Sequence, residues 1–210
     1  MLVDGLPVTN PRSLVAAGAA VTLARSPRLR GSAKLRHALD AFAIPVVGRV
    51  AVDVGAAAGG FTTVLVAAGA TRVYAVDAGH GQLAGWLRQH PRVVNLEATN
   101  LGQLDTELVP DVVDLVTIDV SYLSLAAAVL QLDRIAFADG ADLVALVKPQ
   151  FELCLPSPPT TPAELARALA VAITGIEAAG WSVVASVESP VTGARGAREH
   201  LVHARRQPPR

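Results

Sequence analysis

The chain has 210 residues, a formal net charge of +0 at pH 7, and 51% hydrophobic residues against only 4% aromatic ones. That length buries a full core, so one domain with a small appendage is expected, and the aliphatic bias suits an α/β fold. The even charge balance excludes a global basic field, so nucleic-acid contacts must come from local patches. The single cysteine excludes an internal disulfide framework and fits a reducing, cytoplasmic setting. The apolar run at residues 14–23 is too short to span a bilayer.

Residues 3–11 place an Asp-Gly turn between apolar pairs, the pattern of a small hairpin. A loop carrying Arg25, Arg28 and Arg30 follows, and Arg36 lies just beyond it. A basic run is usually a solvated linker, but this one directly precedes the next domain, where it would serve as a phosphate-contacting arm. Residues 32–42 carry apolar side chains at Leu35, Ala38, Leu39 and Phe42, the spacing of an amphipathic helix, which Pro45 and Gly48 end.

The stretch at residues 49–61 organises the rest. Val50 to Val54 is a short β-branched run that reads as a strand buried on both faces. Gly55, Gly59 and Gly60 then permit a tight turn and a close ligand approach, and an apolar helix starts at Phe61. A strand, a glycine turn and the free amides of a helix N-terminus together form a nucleotide-cofactor site. The spacing is Asp53-x-Gly-x-x-x-Gly-Gly rather than the dinucleotide fingerprint, with an acid inside the strand. It resembles the first motif of S-adenosylmethionine-dependent methyltransferases, which implies that Asp53 faces the cofactor's ammonium. A glycine turn that serves only the strand-to-helix connection is the other reading.

A second strand over residues 73–77 ends on Asp77, placed to accept hydrogen bonds from ribose hydroxyls. A helix through Leu83, Trp86 and Leu87 closes at Pro91. A third strand, residues 93–96, lies nearer an edge, and Asn100 in the loop after it either contacts an adenine edge or belongs to a plain surface loop. The fourth strand, residues 112–119, ends on Asp119; the fifth, residues 142–148, ends on Lys148 with Pro149 directly after. A proline-rich loop leads to a helix over residues 163–179, and strands at 181–187 and 199–203 complete the pattern, with a frayed tail at 207–210. Strands alternating with helices predict a doubly wound, mostly parallel, seven-stranded Rossmann-like sheet with helices on both faces. Ligands of such sheets sit beyond the carboxyl ends of the strands, where the glycine loop, Asp77, Asp119 and Lys148 converge. A strand end that merely reaches solvent is the alternative reading of Lys148.

Five blocks then occur in chain order: Gly-Ser-Ala-Lys-Leu-Arg-His-Ala-Leu from Gly31, Asp-Val-Gly-Ala-Ala-Ala-Gly-Gly-Phe-Thr from Asp53, Tyr-Ala-Val-Asp-Ala-Gly-His-Gly-Gln-Leu from Tyr74, Ile-Asp-Val-Ser-Tyr-Leu-Ser from Ile118, and Leu-Val-Ala-Leu-Val-Lys-Pro-Gln-Phe-Glu from Leu143. Together they resemble the hemolysin A (TlyA) family of ribosomal RNA methyltransferases, a branch of the FtsJ-like ribose 2′-O-methyltransferases, over residues 31–204. The resemblance implies S-adenosylmethionine as cofactor, held by Asp53, Gly55, Gly59, Gly60, Phe61, Asp77, Asn100 and Asp119. It also implies ribosomal RNA or a ribosomal subunit as partner, with Arg25, Arg28, Arg30 and Arg36 on phosphates. The family's Lys-Asp-Lys-Glu tetrad falls on Lys34, Asp119, Lys148 and Glu199. In that scheme Lys148, partly withdrawn from water, accepts or orients the proton of a ribose hydroxyl, Asp119 positions it, and Lys34 and Glu199 set the local field.

Two departures accompany the resemblance. Residues 1–30 match only the second half of the family's alpha-L type RNA-binding module plus a basic linker, ahead of the methyltransferase domain at 31–206. Residues 153–162 are proline-rich, where the family has a glycine- and lysine-rich loop. Base amino methylation lacks its Asn/Asp-Pro-Pro-aromatic motif here, and C5 methylation lacks its nucleophile, Cys154 being expected as inert apolar filling. Two alternatives stay open: a small-molecule methyltransferase, and a non-catalytic RNA-binding or ribosome-assembly factor that keeps the fold.

Overall fold

The computed structural model describes residues 2–4, 6–7, 13–22 and 29–207. The expectations for Arg25 and Arg28 lie outside these. Near the start, β1 (Leu2–Val3) pairs antiparallel with both β2 (Leu6–Pro7) and β3 (Val21–Thr22). The hairpin expected around the Asp-Gly turn is thus joined by a third short strand.

Helix α1 (Arg30–Ala41) follows, then β4 (Val50–Val54), α2 (Gly60–Ala67), β5 (Arg72–Asp77), α3 (Gly85–Arg88) and β6 (Val93–Glu97). The second half holds β7 (Val113–Ile118), α4 (Leu125–Leu130), β8 (Phe137–Val147), α5 (Pro149–Glu152), α6 (Pro162–Ala178), β9 (Trp181–Glu188) and β10 (His200–Arg206). Seven strands form one sheet in the order β6-β5-β4-β7-β8-β10-β9. Strands β4 to β8 run parallel, while β10 inserts antiparallel between β8 and β9. This is the mostly parallel, Rossmann-like sheet that the element order predicts, and β6 is an edge strand as its weak apolar pattern suggests.

The central strands are apolar throughout because helices cover both faces. On one face Leu35, Ala38 and Leu39 of α1 and Phe61, Val64 and Leu65 of α2 pack on Ala51, Val73, Leu115, Val144 and Leu201. On the other, Leu125, Ala128 and Val129 of α4 and Ala172 and Ile176 of α6 pack on Val52, Val54, Val116, Ile118, Leu143 and Ala145. Alternate residues of each strand serve opposite clusters, as the two-residue period requires.

Three sequence-based expectations change. The helix through Leu83 and Leu87 is a four-residue turn, α3, since Gly79, Gly81, Gly85 and Pro91 leave little helical sequence. Strand β8 starts at Phe137, five residues early, with Gly140 at φ 69° where its register with β7 shifts. Arg205 and Arg206 belong to β10, so the strand runs to the edge of the expected tail. No helix among the described residues is long and apolar enough to cross a membrane.

Candidate active site

Lys148 owes its place to a local signal. Proline is disposed to the first position of a helix and forces the residue before it to be extended, so Val147-Lys148-Pro149 converts β8 into α5 at one residue. Lys148 has φ −111° and ψ 101°, and its side chain leaves the sheet at the carboxyl end. Its Nζ lies 2.5 Å from Asp119 Oδ1 and donates to Ser121 Oγ at 2.7 Å. Asp119 follows the last residue of β7, the neighbouring strand, with its amide bonded to the Val54 carbonyl at 2.9 Å. Both side chains remain partly open, 15% exposed for Lys148 and 22% for Asp119.

Glu199 arrives by sheet register. Antiparallel pairing sets His200 opposite Val147, so the next step places Glu199 opposite Lys148. Its carboxylate is buried and lies 2.5 Å from Lys34 Nζ, also buried on the inner face of α1. Two close approaches allow this. A Cβ on Gly60 would fall 3.1 Å from Gly31 Cα, so the N-termini of α1 and α2 nearly touch, and Ser32 Oγ donates to the Gly60 carbonyl at 2.9 Å. A Cβ on Gly193 would meet Glu199 Oε1 at 2.1 Å, so only glycine lets that loop lie over the carboxylate.

Lys34, Asp119, Lys148 and Glu199 therefore line one cleft of about 320 Å³, together with Arg30, Ser121, Gln150 and Arg195. They form two ion pairs of different character, one buried and one facing the opening. Beside this cleft, Val54, Gly55, Val76, Asp77, Ala78, Thr99, Leu101 and Tyr122 outline a small depression over the ends of β4, β5 and β6. Asp77 accepts from the Ala57 amide at 2.8 Å and the Gly79 amide at 2.7 Å. A carboxylate has about four acceptor positions, so two stay free for a ribose diol. An acid at one side and aliphatic residues with a half-exposed tyrosine at the other fit a nucleoside.

Several expected contacts take other roles. Asp53 does not face the depression. It is fully buried, with Thr62 and Thr117 hydroxyls donating to its two oxygens at 2.6 and 2.9 Å. Burial pushes its carboxyl up to about 6 against those hydrogen bonds. The cause is the pleat: a residue inside a central strand points at a sheet face, here toward α2, and not beyond the strand end. Phe61 is also buried, in the core beside Gly31. Gly59 (φ 93°) makes room for Leu87, whose Cδ1 would lie 2.1 Å from a Cβ. Asn100 caps a short 3-10 helix (Leu101–Gln103), while its neighbours Thr99 and Leu101 line the depression. Arg30 lines the cleft, whereas Arg36 lies in a groove between α1 and α2 on another side. Cys154 is exposed, not apolar filling.

Ser121, Tyr122, Gln150 and Arg195 were not singled out from the sequence. The first two follow Asp119 and the third follows Lys148 by two residues, so adjacency to motif acids and bases was the available signal. Nothing in the sequence marked Arg195. Glu152 of the same block is buried, accepts from the Leu125 amide at 3.0 Å, and is pushed up to about 7 by that burial, tying α5 to the start of α4.

This chain is similar to proteins of known family. The 16S/23S rRNA (cytidine-2′-O)-methyltransferase TlyA of Mycobacterium tuberculosis is 42% identical over 98% of this chain and 80% of its own length. Hemolysin A of Brachyspira hyodysenteriae is 35% identical over 83% of this chain and 75% of its own. A solved structure from Streptococcus thermophilus superposes with a TM-score of 0.81 at 33% identity, covering 90% of this chain and 70% of that one. The FtsJ-like methyltransferase model matches residues 27–206. With Asp119 and Lys148 at the carboxyl ends of β7 and β8, Glu199 just before β10 and Lys34 on α1, all lining one cleft, and with a family match over residues 27–206, the chain belongs to the FtsJ-like methyltransferase family.

Proposed function

We propose that this protein transfers a methyl group from S-adenosylmethionine to a ribose 2′-hydroxyl of ribosomal RNA, acting on ribosomal subunits or their RNA in the cytoplasm. The observation that carries this reading is the Lys148 amine, fixed by Asp119 and Ser121 at the floor of an open cleft that adjoins the depression at Asp77. Bound in the depression, S-adenosylmethionine supplies an electrophilic sulfonium methyl. Asp77 would accept the ribose hydroxyls with its two free positions, and Val54, Val76, Leu101 and Tyr122 would flank the adenine. Gly55 lets the end of β4 pack closely on Asp119: its φ is 81°, and a Cβ there would meet the Asp119 carbonyl oxygen at 2.5 Å.

A ribose hydroxyl is a poor nucleophile until its proton is drawn away. Lys148 Nζ, which two oxygen partners hold in one orientation, would orient or accept that proton. Asp119 and Ser121 act as positioning groups, since both touch Nζ. The Lys34–Glu199 pair ties α1 to β10 and closes the inner wall, limiting water. The N-terminal strands and the basic residues around Arg30 would supply RNA contacts.

The decisive experiment incubates the purified chain with labelled S-adenosylmethionine and ribosomal subunits, free ribosomal RNA or small-molecule acceptors. Label in RNA at an alkali-resistant phosphodiester supports the reading, because a 2′-O-methyl group blocks cleavage by the neighbouring hydroxyl. Label confined to small molecules, or in bases, overturns it.

A further inference from the structure

The cleft carries a second cationic feature that the tetrad does not absorb. Arg195 lies on the loop between β9 and β10 and lines the cleft with Arg30. Its backbone is left-handed, φ 56° and ψ 27°, and Gly196 after it has φ 77°. An arginine is rarely held in that region, and such conformations persist where the surroundings fix them, often at ligand clamps. Here Gly193 is pressed onto Glu199, and the turn that follows throws Arg195 across the opening toward α5. There its Nη2 reaches Gln150 Oε1 at 3.4 Å. Arg49, Arg72, Arg88, Arg134, Arg198 and Arg205 each pair with a carboxylate, whereas among the described residues neither Arg30 nor Arg195 does.

We propose that Arg195 binds the phosphate on the 3′ side of the nucleotide being methylated, with Gln150 parking the guanidinium over the cleft until RNA enters. The proposal rests on the ribose 2′-hydroxyl reading given above. In RNA the 2′-hydroxyl and the 3′-phosphate ester stand on adjacent ribose carbons. Any nucleotide that brings its hydroxyl to Lys148 Nζ therefore carries a phosphate into the same cleft. Inside it, both lysines already hold carboxylates, so the arginines are the cations left to meet that charge. A guanidinium presents a planar fork that suits two phosphate oxygens, and the long, neutral bond to Gln150 is readily exchanged for charged ones. Arg30, at the start of α1, would take a neighbouring phosphate.

The test uses the full chain with ribosomal RNA as substrate, measuring kcat and KM across a salt series for R195A, R195K and R195G. Loss of one phosphate contact should raise KM about 10-fold in R195A, leave kcat within about 2-fold, and flatten the log–log salt dependence by about one. R195G should behave as R195A, and R195K should recover part of the loss. Glycine is at ease in the left-handed region, so a merely structural Arg195 would leave R195G with wild-type KM and salt slope, and that result overturns the proposal. R134A, ahead of the amino end of β8 where Arg134 pairs with Asp105, should match the wild type. Wild-type chain that methylates no ribosomal RNA would overturn the proposed function itself, and the phosphate assignment with it. Normal wild-type transfer with an unchanged R195A would overturn the phosphate assignment alone.

Discussion

Breaking the Lys34–Glu199 pair should cost stability well beyond what a surface ion pair contributes. The two side chains are 7% and 4% exposed and the charged atoms are 2.5 Å apart. At an effective dielectric of about 20 the gross attraction at that separation is roughly 7 kcal/mol, most of it offset by the water both groups have given up. Removing one partner strands the other as a buried charge, which costs about 3–5 kcal/mol. In Glu199→Gln a neutral carbonyl still accepts from Lys34, so the lower end, about 3 kcal/mol, is expected. For a chain of this length that is a fall in Tm of about 6–12 °C. Lys34→Met should lose a similar amount, because it leaves a carboxylate under the Gly193 loop. The double variant should recover at least half of the summed loss, since no charge is then stranded. Urea unfolding followed by far-ultraviolet circular dichroism at pH 7.5 checks this, with the midpoint shifting at constant m. A Glu199→Gln variant within about 1 kcal/mol of wild type, with strictly additive single losses, would refute the buried-pair account.

Three further outcomes are expected. Lys148→Met should abolish methyl transfer while calorimetry shows cofactor binding within a few-fold of wild type; near-full turnover would remove Lys148 from its role. Asp53 is raised in the folded protein, so unfolding releases its proton: this group costs no stability below about pH 4, and its full cost, about 3 kcal/mol, is present above about pH 6. Asp53→Asn should thus gain on wild type by about that amount between pH 4 and pH 8 in urea midpoints, and a gain of the opposite sign would defeat the reasoning. Gly55→Ala should destabilise by more than about 1 kcal/mol, because φ is positive and the Cβ meets backbone at Asp119, which cannot swing aside. Its methyl transfer should drop as Asp119 moves, whereas full activity would show that the Asp119 backbone can give way without disturbing the site.

The sequence by itself determined the order of strands and helices, because apolar periodicity and the Gly and Pro punctuation are local signals. It also marked the residues that end strands. Asp77, Asp119 and Lys148 stand where a buried apolar run stops, and a polar group there either faces a ligand or faces water. The motif block from Gly31 extended this to Lys34, and the family resemblance extended it to Glu199; no periodicity would have picked out either.

What only the tertiary structure decided was direction and partnership. Asp53 belongs to the same glycine block as the depression, yet the pleat turns it toward α2, and Phe61 beside that block goes into the core. The glycines at 59 and 60 looked like room for a ligand; the fold shows that they are also room for Leu87 and for Gly31. Pairing of the tetrad into one buried and one open ion pair depends on β10 inserting antiparallel beside β8, a contact between residues far apart in the chain. Arg195 stayed hidden for the same reason. A cation between two glycines has no meaning until the loop is folded onto Glu199 and the guanidinium is carried over the cleft.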